Sequence, residues 1–326
     1  IGKRFSVSAY ASLGYKGIRQ EDRVRGGTAV LDRPLVSPAL SMQLAVTPEL
    51  RLSASAAYDE SYGGLYSDYG GYIMSNYRHI SRTGGEIPRN RNQNYSLGLS
   101  YAATHIATFA KLSGGYWRSW RSHTYGTVYD GTLTRMETVD SPALSHGVNV
   151  AANASKLFFA ISTTVKLSAS WSRTWSALHR QYELYRSEMD NVSGALSFNT
   201  RFCDWAALDY GISASRSRSV TDLGGARPPI HSLRQNAALN LSFAKSFFLR
   251  VGGEHYYNDA VRGDRSMFFL DASLSWRMKR LELALECRNL LGTETYSSAS
   301  YSDITTYVYT YRLRPLTALL KIRFTL

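Results

Sequence analysis

The sequence predicts an all-β chain, folded as a transmembrane, antiparallel, up-and-down β-barrel. Three observations carry that expectation. Hydrophobicity alternates with period two along almost all of the 326 residues, the pattern of a half-buried strand. The alternating runs are about 10 to 14 residues long, against about 5 to 6 for a typical soluble strand and about 9 to 11 for a membrane-spanning one. Short turns alternate with long connections, as in barrels with tight turns at one rim and long loops at the other. A soluble sandwich, jelly roll or propeller also alternates, but seldom holds strand after strand at this length.

The runs follow one another from the N-terminus. Gly2-Lys3 reads as a turn. Phe5, Val7, Ala9, Ala11, Leu13 and Tyr15 then share one face against Arg4, Ser6, Ser8, Tyr10 and Ser12. Leu40 to Val46, Leu50 to Tyr58 and Tyr95 to Tyr101 repeat the pattern, and weaker runs lie near Leu112 and Val148. Val165 to Trp171, Val192 to Phe202, Leu208 to Ile212, Leu233 to Phe243, Phe247 to Val251, Phe268 to Trp276, Leu281 to Leu285 and Leu316 to Phe324 complete the series. The total is about 14 strands by the alternation rule. Short turns are expected near Pro48, His105, 156–163, Cys203-Asp204, Lys245-Ser246 and Met278-Lys279. Long loops are expected at 16–36, 62–93, 120–145, 173–190, 219–232, 257–266 and 291–307. The whole of 1–326 is one barrel domain. The chain starts at Ile1 with no charged segment leading into an apolar one, so the expectation is a mature chain without its beginning, or a piece of a longer one.

Composition excludes several classes. Hydrophobic residues make up 44%, charged residues 19%, and there are 25 Gly and 8 Pro, which is neither disordered nor collagen-like. No run approaches the roughly 18 apolar residues of a transmembrane helix. The two cysteines, Cys203 and Cys287, form no disulfide framework and no zinc spacing. The net charge of +13 is scattered in ones and twos rather than gathered, so no nucleic-acid partner is expected. No GxSxG elbow and no P-loop occur, and the seven histidines stand singly. Neither catalysis, nor a metal site, nor a cofactor is expected.

The richest candidate for ligand binding is the connection at 62–92. There Tyr62, Tyr66, Tyr69, Tyr72 and Tyr77 are interleaved with glycines and followed by Arg78, His79 and further arginines. Aromatic rings and guanidinium groups together clamp planar or anionic ligands. The same composition also suits an ordinary exposed loop whose arginines meet lipopolysaccharide phosphates. Trp117 and Trp120, at the top of one strand, offer either a ligand contact or an interfacial aromatic girdle. On the polar face, Arg51, Lys111, Lys166, Arg201, Arg234, Arg250, Glu254, Asp271, Glu282, Glu286, Arg288, Lys321 and Arg323 are expected to line the lumen.

The C-terminal segment resembles the end of TonB-dependent outer-membrane receptors. In those proteins the penultimate strand closes in an Asn-Leu-(Phe/Leu)-(Asn/Gly) turn, matched here by Asn289-Leu290-Leu291-Gly292, and the last strand carries an Arg-Pro pair, matched by Arg314-Pro315. The chain ends on Leu326, with Phe324 two residues earlier, where such proteins usually end on Phe. The long Tyr-rich loops resemble those of Bacteroidetes-type receptors. The resemblance implies a barrel of about 22 strands with a plug in its lumen. This chain then corresponds to the C-terminal part, without plug, TonB box or signal peptide. It further implies residence in the outer membrane of a Gram-negative bacterium, among outer-membrane lipid and lipopolysaccharide. TonB and the plug would be partners in the full-length protein, with a small scarce nutrient (iron chelate, cofactor, glycan or peptide) as ligand and a surface lipoprotein as a further partner. The lumen charges would then meet the plug. Two rivals stand beside it: a complete 14-stranded passive channel, and a structural or adhesive outer-membrane protein.

Overall fold

The computed structural model describes residues 4–22, 27–63, 71–82, 87–222, 224–244, 246–261, 263–302 and 305–324. The first half of the chain holds β1 (Phe5–Asp22), β2 (Gly27–Ala45), β3 (Leu50–Tyr62), β4 (Ile73–Asn76), β5 (His79–Arg82), β6 (Arg89–Ala103), β7 (Thr108–Arg121), β8 (Thr124–Asp130), β9 (Leu133–Val139) and β10 (Ala143–Phe158). The second half holds β11 (Thr163–Arg180), β12 (Glu183–Cys203), β13 (Ala206–Thr221), β14 (Gly225–Ala226), β15 (Ile230–Phe243) and β16 (Phe247–Asn258). It ends with β17 (Ser266–Arg277), β18 (Leu281–Arg288), β19 (Thr295–Ser302), β20 (Thr305–Arg312) and β21 (Thr317–Phe324).

Fourteen of these form one antiparallel meander in the order β1, β2, β3, β6, β7, β10, β11, β12, β13, β15, β16, β17, β18, β21. Each strand pairs with its neighbour in the chain, which makes an up-and-down barrel wall. The remaining short strands belong to connections at one rim. Among the described residues, β1 pairs only with β2 and β21 only with β18, so each keeps one lateral edge unpaired.

The register aligns the apolar residues into rows. Val7 faces Met42, Met42 faces Ala54, Ala54 faces Leu97, Leu97 faces Gly114, Gly114 faces Val150, Val150 faces Trp171, and Trp171 faces Val192. This face is open: Leu13 is 77% exposed and Leu97 64%. A continuous apolar surface of this extent is far larger than a soluble monomer tolerates, and it suits lipid. The opposite face carries Ser, Asn and Gly together with charged residues such as Arg51, Lys166, Arg250 and Glu286.

At one rim the turns are tight. Two of them share one design, a single 3-10 turn (Thr104–Ile106 and Phe159–Ile161) closed by a left-handed residue, Ala107 or Ser162, both at φ 45°. Pro48 and Met278-Lys279 lie in tight turns as expected. Lys245, Gly2, Lys3 and Leu326 lie outside the described residues.

At the other rim several of the expected loops hold strand, and in two of them the strands of the wall itself continue. Segments 16–36 and 173–190 are for the most part strand. β1 runs on to Asp22 and β2 starts at Gly27, while β11 reaches Arg180 and β12 starts at Glu183. β12 is 21 residues long, about twice what a bilayer needs. The ladder therefore continues well past the apolar band.

Candidate functional site

Three regions of the wall carry chemistry: the loop rim, the inner face and the outward aromatic belts.

At the loop rim, β4 and β5 form a hairpin, and β5 pairs in parallel with β9 from His79–Thr134 to Arg82–Glu137. β8 and β9 form a second hairpin, and β8 pairs with the end of β11 at His179–Gly126. The connections at 62–93 and 120–145 are thereby built into one folded cap. Val128, Ala143 and Tyr185 are buried there.

The predicted aromatic residues do not converge on one pocket. The Tyr62 hydroxyl donates to Glu60 Oε1 at 2.6 Å, and Arg89 Nε meets the same oxygen at 2.5 Å. The Tyr72 hydroxyl donates to Glu137 Oε1 at 2.8 Å, with the Arg82 guanidinium 5.8 Å from its ring. Tyr77 is 79% exposed and meets Arg78 at 5.2 Å. His79 pairs through its backbone with Asn76. Tyr66 and Tyr69 lie outside the described residues. Trp117 and Trp120, read together from the sequence, take opposite faces, because residues three apart in a strand have opposite parity. Trp117 lies on the inner face against Gly147, where a Cβ would stand 2.7 Å from the indole Nε1. Trp120 faces outward, with the Arg91 guanidinium 5.0 Å from its ring.

The inner face carries every charged residue that the sequence set on the polar side, and many are paired across strands. Glu286 takes Lys321 at 2.5 Å and Arg288 at 3.2 Å; Glu282 takes Arg277 and Arg323, both at 3.6 Å; Glu254 takes Arg234 at 3.5 Å. Asp271 accepts the Asn289 backbone N–H at 2.8 Å, Arg250 reaches Asn240 at 3.5 Å, and Arg201 pairs with Asp204 at 2.9 Å. Arg51, Lys111 and Lys166 lie further round the same face.

Sequence reasoning missed the hairpin of β19 and β20. The sequence leads one to expect a plain loop at 291–307, yet this segment folds against the inner wall. Tyr296 meets the Tyr256 ring edge-on at 5.5 Å, Asn258 Nδ2 donates to the Ala299 carbonyl at 3.0 Å, and Arg227 donates to Thr306 Oγ1 at 3.0 Å. Ala299 and Met267 are buried by this contact. Between hairpin and wall lies a cavity of about 420 Å³, lined by serines of β11 to β15 together with Arg234, Tyr256 and Tyr296. A second, of about 440 Å³, lies beside the Arg250, Asp271, Glu286 and Arg288 set. Asn289, at φ 54°, fixes where the hairpin departs. Its Nδ2 donates to the carbonyls of Thr293 at 2.7 Å and Arg314 at 2.9 Å, and its Oδ1 accepts the Thr293 N–H at 2.9 Å.

The outward face is bounded by two unlike belts. At the turn rim Phe243, Phe247 and Trp276 stack in series at 5.9 and 5.7 Å. At the loop rim a ring series crosses four strands: Tyr95 to Tyr116 at 6.2 Å, Tyr116 to His146 at 6.4 Å, and His146 to Trp175 at 4.9 Å. Trp171 and Trp175 donate their indole N–H groups to Asp190 and Glu188, both at 3.0 Å. Arg173 holds both carboxylates, at 3.0 and 3.4 Å. Amphipathic rings at both edges of an apolar band mark the two membrane interfaces.

No family model and no curated protein matches the sequence. Solved structures do match the fold. The siderophore receptor PirA from Pseudomonas aeruginosa is 10% identical with a TM-score of 0.53, over 93% of this chain and 44% of that one. The ferric enterobactin receptor PfeA from the same organism, in complex with enterobactin, is 10% identical with a TM-score of 0.53, over 91% of this chain and 45% of that one. The siderophore receptor PirA from Acinetobacter baumannii is 10% identical with a TM-score of 0.52, over 100% of this chain and 51% of that one. The chain spans about half the length of these receptors. At this identity the likeness shows the fold, a transmembrane antiparallel barrel wall.

Proposed function

We propose that the chain is the C-terminal part of the barrel of a TonB-dependent outer-membrane receptor that imports a scarce nutrient. The observation that carries this reading is the pair of unpaired edges on β1 and β21, on a sheet whose outward face suits lipid. A backbone group left unpaired in hydrocarbon costs several kcal/mol, so the wall needs strands beyond these fourteen to close. About eight more complete the 22 of a plugged transporter. The alignment of nearly the whole chain with about half of each receptor supports the same division. So does the turn built on Asn289, which stands where the resemblance puts its Asn-Leu-Leu-Gly motif. A complete 14-stranded channel requires β1 to pair with β21, and the open edges count against it.

In this reading the inner-face charges from Arg51 to Arg323 meet the plug, and the rim with Tyr62, Tyr72, Tyr77, Arg78 and His79 faces the medium. The barrel contributes shape and binding, and no catalytic step is assigned to it. TonB, the plug, a surface lipoprotein and lipopolysaccharide are its proposed partners. Growth of the source bacterium on ferric chelates as the only iron, with the gene disrupted or with TonB removed, tests the reading. Loss of growth on one chelate in both strains is expected. Uptake that depends on the gene but not on TonB overturns it.

A further inference from the structure

The inner wall behind the β19–β20 hairpin carries an ordered set of hydroxyl groups. Strand register aligns Ser170, Ser193, Ser215, Ser232 and Asn258 into one row across β11, β12, β13, β15 and β16. The row advances one strand per step, about 4.8 Å each. At its end Asn258 Nδ2 donates to Ser232 Oγ at 3.1 Å and to the hairpin carbonyl of Ala299 at 3.0 Å. The next row toward the turn rim holds Ser168 and Ser213 and runs through Arg234 to Tyr256, which meets Tyr296 of the hairpin.

The cavity of about 420 Å³ between this wall and the hairpin has Ser168, Ser193, Ser213, Ser215 and Ser232 in its lining. Its size is that of a small-molecule site. Among the described residues Arg234 is the only charged member of the lining, and Glu254 lies 3.5 Å from it. The second cavity, by contrast, is edged by Arg250, Glu254, Asp271, Glu286 and Arg288. Ser193 pairs with Ser170 at 2.7 Å, while the Ser168, Ser213 and Ser215 hydroxyls take no side-chain partner among the described residues. A serine hydroxyl both donates and accepts, so a row of them matches ligand groups that do the same. A carboxylate or phosphate asks for unpaired cationic groups, which this lining lacks. An apolar ligand would strip the hydroxyls of water and give nothing back. Tyr256 and Tyr296, edge-on at 5.5 Å, supply apolar ring surface for the C–H face of a sugar.

We propose that this wall binds an uncharged, linear saccharide, laid across the serine row with its end between the wall and the hairpin. The step from strand to strand is close to the rise of one pyranose unit along an extended glycan, so successive sugar rings meet successive hydroxyls. The inference goes beyond the importer reading and needs only the folded wall and its hairpin.

The test uses the full-length protein in a sugar-free amine-oxide detergent. Cellotriose, uncharged and extended, is the probe, and binding is read by saturation-transfer NMR over a titration. The wild type is expected to show transfer to cellotriose and not to trigalacturonate, a charged trimer. S193A/S215A, which removes two adjacent hydroxyls of the row, is expected to bind cellotriose about tenfold more weakly, from the loss of two neutral hydrogen bonds. S96A, elsewhere on the inner wall, is expected to stay within about twofold of wild type by the same reckoning. Heat-modified gel mobility confirms that each variant is a folded barrel. Absence of transfer to cellotriose overturns the proposal. So does equal affinity in wild type and S193A/S215A, or binding of trigalacturonate as tight as that of cellotriose. Growth on ferric chelates with TonB present or removed decides the importer reading separately.

Discussion

Asn289 shows how one side chain can fix the path of a whole excursion. It makes three hydrogen bonds at once, tying the end of β18 to both ends of the segment that leaves and returns. Alanine there leaves two carbonyls and an N–H without their partner. With a typical cost for such buried groups, N289A is expected to lose about 2 kcal/mol, measured by urea unfolding of the intact protein in lipid. At Gly147 the constraint is space: the Trp117 indole and the Arg173 carbonyl leave a Cβ at 2.7 and 3.0 Å. The two faces of β6 give the sharpest contrast between neighbouring residues. Leu97 points outward in the middle of an apolar run, while Ser96 points inward and sits 2.7 Å from Ser55. L97R is expected to cost about 2 to 4 kcal/mol, the price of an arginine near the bilayer midplane. S96R faces the polar side and is expected to cost under about 1 kcal/mol, as for ordinary surface changes. Equal losses from the two variants would contradict the assignment of faces.

Among the elements, the β19–β20 hairpin can be removed without cutting the wall, because β18 and β21 pair directly from Leu281–Phe324 to Arg288–Thr317. Replacing 295–312 with a short turn is expected to keep the barrel folded and to expose Met267, Asn258 and Tyr256 on the inner face. Faster labelling of a cysteine placed at Ser232, beside Asn258, checks this; an unchanged rate would mean that the hairpin does not cover the wall there. The wall itself was legible in the sequence, because lipid on one side and water on the other enforce period two along each strand. The strand arms beyond the membrane were not. Near the loop rim, where Arg173, Glu188 and Asp190 stand on the outward side, both faces are polar and the alternation fades, although backbone pairing continues through Arg180 and Glu183. The ring series from Tyr95 to Trp175 joins four strands and needs the register, which no single segment carries. The inward turn of the hairpin is equally silent, since Tyr and Ser suit a wet loop and a polar wall alike. Trp117 and Trp120 were separable by parity alone, and their difference of three residues is the signal that was available.

For the molecule as a whole, the two lateral edges matter most. An open edge is a template for further pairing, and in lipid it has no water to satisfy it. The chain produced by itself and refolded in detergent is therefore expected to associate through its edges into oligomers. Light scattering with sedimentation reads the mass, and a discrete monomer with all its strands paired would contradict the edge assignment. The edge of β1 also has a finer consequence. Arg4 accepts the Ala45 N–H at 2.7 Å, which places the even-numbered positions of β1 in the hydrogen-bonded pairs with β2. The N–H groups of Phe5, Val7, Ala9, Ala11 and Leu13 then point away from β2, toward the vacant side. Deuterium uptake along this one strand should accordingly stutter, slow at Ser6, Ser8 and Tyr10 and quick at their odd-numbered neighbours. It should become uniformly slow once another strand docks. That alternation is a per-residue clock for barrel closure, readable before any transport is measured.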